Sequence, residues 1–239
     1  MQQAPASVEL SDLAVFPKEL LVTFQIALVG IDGLVVGSDR RSLHFSSPDE
    51  PSSEGAIQPD EVCKFIKSTD EDVICAHAGG PFSEVWARAI VTRCVPVKND
   101  VDWKNQLSEV SRSVIGDPRI KDEVLVVRRS VRDGAFLLTR RGQVEPTVTN
   151  VSSWACWGNS MIPARFLPWH AWQRSSIEDL KKLATLTIVC ATEEAPGIVG
   201  AGVDLMTLRR SGDLEWERTA ETKEIYSRFQ KAIRSLVIS

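Results

Sequence analysis

The chain has 239 residues, 43% of them hydrophobic and 25% charged, which suffices for one large layered domain with a substantial core. A formal net charge of -4 argues against nucleic acid or an anionic membrane surface as a partner. No apolar run approaches the roughly 18 residues of a membrane span.

The first 22 residues lack the basic start and continuous apolar centre of a secretory signal, so a soluble, cytoplasmic protein is expected. Residues 22–29 and 34–38 read as two strands joined by Ile31-Asp32-Gly33, a tight hairpin signal. Residues 42–60, rich in Ser, Pro, Glu and Asp, read as a surface loop. A second strand pair is expected at 62–67 and 73–78, broken by Gly79-Gly80-Pro81. Phe82, Val85, Trp86, Ala89 and Ile90 then recur at helical spacing. Another helix is expected over 101–114, with Asn99 or Asp100 as its cap. Strands return at 124–129 and 135–140, and the run 148–157 is placed beside them. Helical segments follow at 161–172, interrupted by Pro163 and Pro168, and at 176–194, where Ser176 and Asp179 give an N-terminal cap signal. The chain closes with a strand at 203–208, a turn at Ser211-Gly212-Asp213, a short strand, and a helix from about 219 to 236.

Hairpins therefore come in blocks and helices in pairs, unlike the strict alternation of a doubly wound parallel sheet. The expected packing is an α+β four-layer αββα sandwich: two antiparallel sheets face to face, with helix pairs on the outer faces, in a single domain over residues 23–239. Cys63, Cys75, Cys94, Cys156 and Cys190 form no CxxC pair and are odd in number, which points to buried free thiols in a reducing compartment. His44, His77 and His170 have neither metal nor triad spacing, and no glycine sits in a phosphate-loop pattern, so no metal or cofactor is expected. His77 reads as a hydrogen-bonded core histidine. Trp154, Trp157, Trp169 and Trp172 read as packing, and Arg128-Arg129 and Arg140-Arg141 as solvated strand ends.

In this order the first hairpin, opened by Thr23 and carrying Gly30-Ile31-Asp32-Gly33 and Asp39-Arg40-Arg41, resembles the start of a proteasome β-type subunit, an N-terminal-nucleophile hydrolase. "CKFIKSTDEDVICAHAGG" is similar to the family's lysine-bearing strand and Ala-Gly turn, and "IVCATEEAPGIVGAGVDLMTLRRSG" to its Ala-Thr helix end and paired-glycine turn. The resemblance implies Thr23 as nucleophile once residues 1–22 are removed as a pro-segment. It implies Lys64 as electrostatic partner, Asp39 as the lysine's ion-pair partner, and an oxyanion-binding amide in the Gly79-Gly80 turn. Asn159 or Ser160 would add a hydrogen bond. It also implies a peptide or protein substrate and assembly of like subunits into a ring.

This sequence departs from the family pattern at four places, one of them Gly158-Asn159-Ser160 where the family has Gly-Ser-Gly. Val22 stands where the family has glycine, Glu193-Glu194-Ala195-Pro196-Gly197 where it has an acid, and Val199 where it has serine. Three functions stay open: a threonine-type peptidase, a non-catalytic proteasome-like protein kept for assembly or binding, and an amidase acting on small amides.

Overall fold

A computed structural model of the chain describes residues 23–43, 59–61, 63–79, 81–94, 99–114, 121–130, 135–141, 145–158 and 175–219, together with 164 and 227. The expected pro-segment and most of the helical segments 161–172 and 219–236 lie outside the described residues.

The first hairpin joins β1 (Phe24–Val29) to β2 (Gly33–Asp39), closed by the Gly30 amide donating to the Gly33 carbonyl at 2.8 Å. The turn aspartate has a further role: the Asp32 carboxylate accepts from the Ile177 amide at 2.8 Å and ties the hairpin to a helix start far along the chain. After β2 come the short strands β3 (Arg41–Leu43), β4 (Pro59–Glu61) and β5 (Phe65–Lys67), then β6 (Val73–Ala78). Helices α1 (Pro81–Arg93) and α2 (Asp100–Arg112) follow. Strands return as β7 (Lys121–Arg128), β8 (Ala135–Arg141), β9 (Thr147–Asn150) and β10 (Trp154–Gly158). The described chain ends with α3 (Ile177–Glu194), β11 (Val203–Arg209) and β12 (Leu214–Thr219). The expected caps are present: Asn99 accepts from the Asp102 amide at 2.9 Å and Ser176 from the Asp179 amide at 3.3 Å.

Two five-stranded antiparallel sheets result, in the orders β10-β1-β2-β11-β12 and β5-β6-β7-β8-β9. Both faces of β1 are buried, which is why it reads as one apolar run rather than an alternation. Phe24, Ile26 and Leu28 pack against Leu180, Ala184 and Ile188 of α3. Ala27, with Val36 and Met206, meets Ile74, Ala76, Leu125 and Val127 of the other sheet. Trp86 and Ile90 of α1 and Trp103 and Leu107 of α2 cover that second sheet's outer face.

Four sequence expectations are corrected, the burial of Cys63 among them. The four-layer αββα sandwich with helix pairs on both sides is replaced by two five-stranded antiparallel sheets with three helices among the described residues. Two of these lie on one sheet, while α3, with its broad apolar face, covers the other. The run 148–157 is not one strand: β9 pairs with β8, and after a bend at Ser152-Ser153 the chain crosses to pair β10 with β1 in the other sheet. Arg128 and Arg140 are buried rather than solvated, their guanidiniums stacked on Trp103 at 4.5 Å and Trp86 at 4.2 Å. Among the cysteines, all free, Cys63 is exposed. Burial pushes the Cys94 and Cys190 thiols up to about 11.

Candidate functional site

The site lies at the open end of the first hairpin, away from its turn. Thr23, directly before β1, is 6% exposed. Asp39 ends β2 on the neighbouring strand, fully buried. One oxygen of its carboxylate accepts from the Phe24 amide at 3.0 Å and from the Lys64 ammonium at 2.7 Å. The other accepts from the Arg41 and Gly200 amides, each at 3.2 Å. A single carboxylate thus ties together the residue after Thr23, the end of β2, the approach to β5 and the approach to β11. This satisfies it as a buried anion must be.

Lys64, 3% exposed, precedes β5 rather than opening it. Burial pushes its ammonium below the ordinary lysine range against the attraction of Asp39 and, more weakly, Asp204, and Arg41 adds to the downward push. Burial pushes the Asp39 carboxyl up against the attraction of Lys64 and the Phe24 and Gly200 amides. Asp204, 5% exposed on β11, holds Arg218 at 3.0 Å and Arg40 at 3.7 Å.

Two glycines frame Thr23. Gly79, at φ 124°, ends β6; a Cβ there would stand 2.7 Å from the Lys121 carbonyl oxygen. Gly158, at φ 90°, ends β10; a Cβ there would stand 2.1 Å from the Thr23 carbonyl oxygen and 3.5 Å from the Ala78 Cβ. Both positions need glycine for backbone conformation and for space. The structure therefore brings Thr23, Asp39 and Lys64 to one place and sets the Ala78-Gly79 turn beside them. Gly80, Asn159 and Ser160 lie outside the described residues.

Val199, which the motif resemblance set against a serine, is fully buried in the core under α3. The Glu194 carboxylate accepts from the Ala164 amide at 2.9 Å. His77 is partly buried, with Nδ1 3.3 Å from the Ser83 hydroxyl; burial, with a smaller contribution from Lys64, lowers it to about 4. A cleft of about 590 Å³, lined by Gly30, Gly33, Arg128, Ser130, Arg210 and Gly212 among others, opens at the hairpin-turn end and includes neither Thr23, Asp39 nor Lys64. Among the described residues no three His, Cys, Asp or Glu side chains converge as metal ligands, and no helix is long and apolar enough to cross a membrane.

Sequence reasoning passed over Glu123, whose carboxylate accepts from the Gly158 amide at 2.8 Å, and Asp204. The available signal was an acid inside an otherwise apolar strand, in "DEVLVV" and "VDLM".

The two face-to-face antiparallel sheets, the first with Thr23 heading an inner strand, resemble a proteasome-related fold. Among solved structures the chain is similar to Anbu (ancestral beta-subunit) from Yersinia bercovieri, at 16% identity and TM-score 0.66 over 91% of this chain and 97% of that one. It is similar to Anbu from Hyphomicrobium sp. strain MC1, at 14% identity and TM-score 0.65 over 91% and 97% of the two chains. It is also similar to the helical assembly of the Anbu complex from Pseudomonas aeruginosa, at 15% identity and TM-score 0.61 over 90% and 95%. No protein-family model and no curated protein sequence matches the chain.

These likenesses, at low identity, show the fold. They correct the resemblance drawn from motifs: the fold is that of Anbu, a proteasome-related protein, where the sequence pointed to a proteasome β-type subunit. The Gly-x-Asp-Gly turn and the Asp-x-Arg strand end join the hairpin to distant segments through Asp32 and Asp39, a role in holding this fold together.

Proposed function

We propose that this chain is a threonine-type N-terminal-nucleophile hydrolase that cleaves peptide bonds after removal of residues 1–22. The observation that carries this reading is the Asp39–Lys64 pair, 2.7 Å apart, whose carboxylate also holds the amide of the residue following Thr23. A mature Thr23 carries nucleophile and base together: the α-amine, titrating at about 8, takes the hydroxyl proton as Oγ attacks the carbonyl carbon. The C–N bond breaks, the proton passes to the leaving amine, and an ester on Thr23 remains. Water then hydrolyses that ester, with the α-amine taking its proton and returning one to Oγ. Lys64, charged through Asp39, lowers the cost of the developing alkoxide, and the Gly79 turn offers an amide to the oxyanion. The P. aeruginosa protein is described as a helical assembly, which supports self-association of this chain as well.

One observation favours a second reading, a retained fold without chemistry: Val199 brings only a buried methyl surface where the family has a hydroxyl. Intact mass of the purified protein, before and after an epoxyketone directed at N-terminal threonine, separates the two. Loss of residues 1–22 and one adduct on Thr23 is the expected result. An intact chain without adduct would overturn the hydrolase reading in favour of the second.

A further inference from the structure

We infer that Glu123 is a positioning residue for Thr23, a role that rests on the hydrolase reading above. Glu123 lies on β7 opposite Ala78, with its side chain 4% exposed. A carboxylate there is costly to bury and gains nothing for the core unless it is fully engaged. Both oxygens are engaged: one takes the Lys121 ammonium at 2.8 Å, the other the Gly158 amide at 2.8 Å.

The second contact crosses between the sheets. Gly158 belongs to the sheet of β1 and is the register partner of Phe24, but its N–H donates to an acceptor on the opposite sheet. The positive φ that turns Gly158 this way also presses it against Thr23: a Cβ would stand 2.1 Å from the Thr23 carbonyl oxygen and 2.9 Å from its carbonyl carbon. The same stretch of β7 backs the other flank of the site, since the Lys121 carbonyl oxygen lies 2.7 Å from where a Gly79 Cβ would be. Residues 121–123 thus hold the Gly158 amide against Thr23 and lie close against Gly79. A charge-assisted hydrogen bond is strong enough to hold Gly158 where nucleophilic attack requires it, and attack geometry tolerates little displacement. Glu123 acts through Gly158 on the placement of the nucleophile.

The test measures kinact and KI for the threonine-directed epoxyketone on the mature protein, with Tm recorded for each variant. Glu123→Met, similar in length but without an acceptor, is expected to lower kinact about tenfold or more while KI stays within about twofold. Glu123→Gln, which keeps an acceptor for the Gly158 amide, is expected to recover to within about threefold of wild type. Wild-type kinact in the Met variant, or a Gln variant as slow as Met, would overturn the inference. Should the Met variant not fold, hydrogen exchange of the wild-type Gly158 amide decides: slow exchange is expected, and exchange as fast as an exposed amide would overturn it. Absence of labelling in the wild-type protein would overturn the hydrolase reading and this inference together, and is recognisable because it precedes any substitution.

Discussion

Lys64–Asp39 and Arg140–Asp122 are both buried ion pairs, one at the open end of the first hairpin and one beneath α1 and α2. In the first, the nitrogen and oxygen are 2.7 Å apart; in the second they are 3.9 Å apart. The larger difference is in what surrounds the cation. Arg140 stacks on Trp86 and donates to the carbonyls of Ser111 and Val114 at 2.9 and 2.8 Å, closing the end of α2. Apart from its pairing with Asp122 on the neighbouring strand, its contacts hold helices to the sheet. Lys64 instead leads through Asp39 to the amide of Phe24, the residue after Thr23. Burial of a charge pair therefore does not mark a functional site; its connection to a potential nucleophile does.

The contrast can be broken by substitution, and the largest effect belongs to the site. Lys64→Met removes the cation facing the developing alkoxide and is expected to slow epoxyketone labelling by about a hundred- to a thousandfold. It also strands Asp39, costing on the order of 3–5 kcal/mol in urea unfolding. Arg140→Ala is expected to cost a similar 3–5 kcal/mol, roughly, by removing the cation beside the buried Asp122 and opening space under Trp86. The fraction that remains folded should label at the wild-type rate. A labelling defect in Arg140→Ala beyond the loss of folded protein would erase the distinction between the two pairs.

A smaller effect sharpens the electrostatics next to Lys64. His77 has its folded value lowered to about 4, below the unfolded value near 6.5, so it stays neutral in the fold where the unfolded chain takes a proton. Its contribution is fully present above pH about 6.5 and is lost as pH falls towards 4, up to about 3 kcal/mol. Urea unfolding at pH 7 and pH 4.5 should therefore show a steeper loss for the wild type than for His77→Gln. Equal losses would mean that His77 is free to protonate in the folded state.

Much of the scaffold was legible because its signals are local. The hairpin turn closed by Gly30 and Gly33 and the caps at Asn99 and Ser176 each act within a few residues of themselves. Lys64 was legible only through the order of motifs, since a lysine before a strand has many fates. What escaped was long-range. The bend at Ser152-Ser153 sends β10 to a strand more than a hundred residues earlier, and nothing in the local pattern records that crossing. Arg128 and Arg140 looked like solvated strand ends because their tryptophan partners come from helices elsewhere in the chain. Glu123 was hidden for the same reason: its partner Gly158 lies on the other sheet.

The central claim, that Thr23 is a nucleophile and not only the β-branched residue before a strand, is tested most directly by intact-mass spectrometry of the full-length chain after purification and epoxyketone treatment. The account predicts a mass corresponding to residues 23–239 plus one inhibitor, lost in Thr23→Ala. A mass that retains residues 1–22 and carries no inhibitor would contradict it.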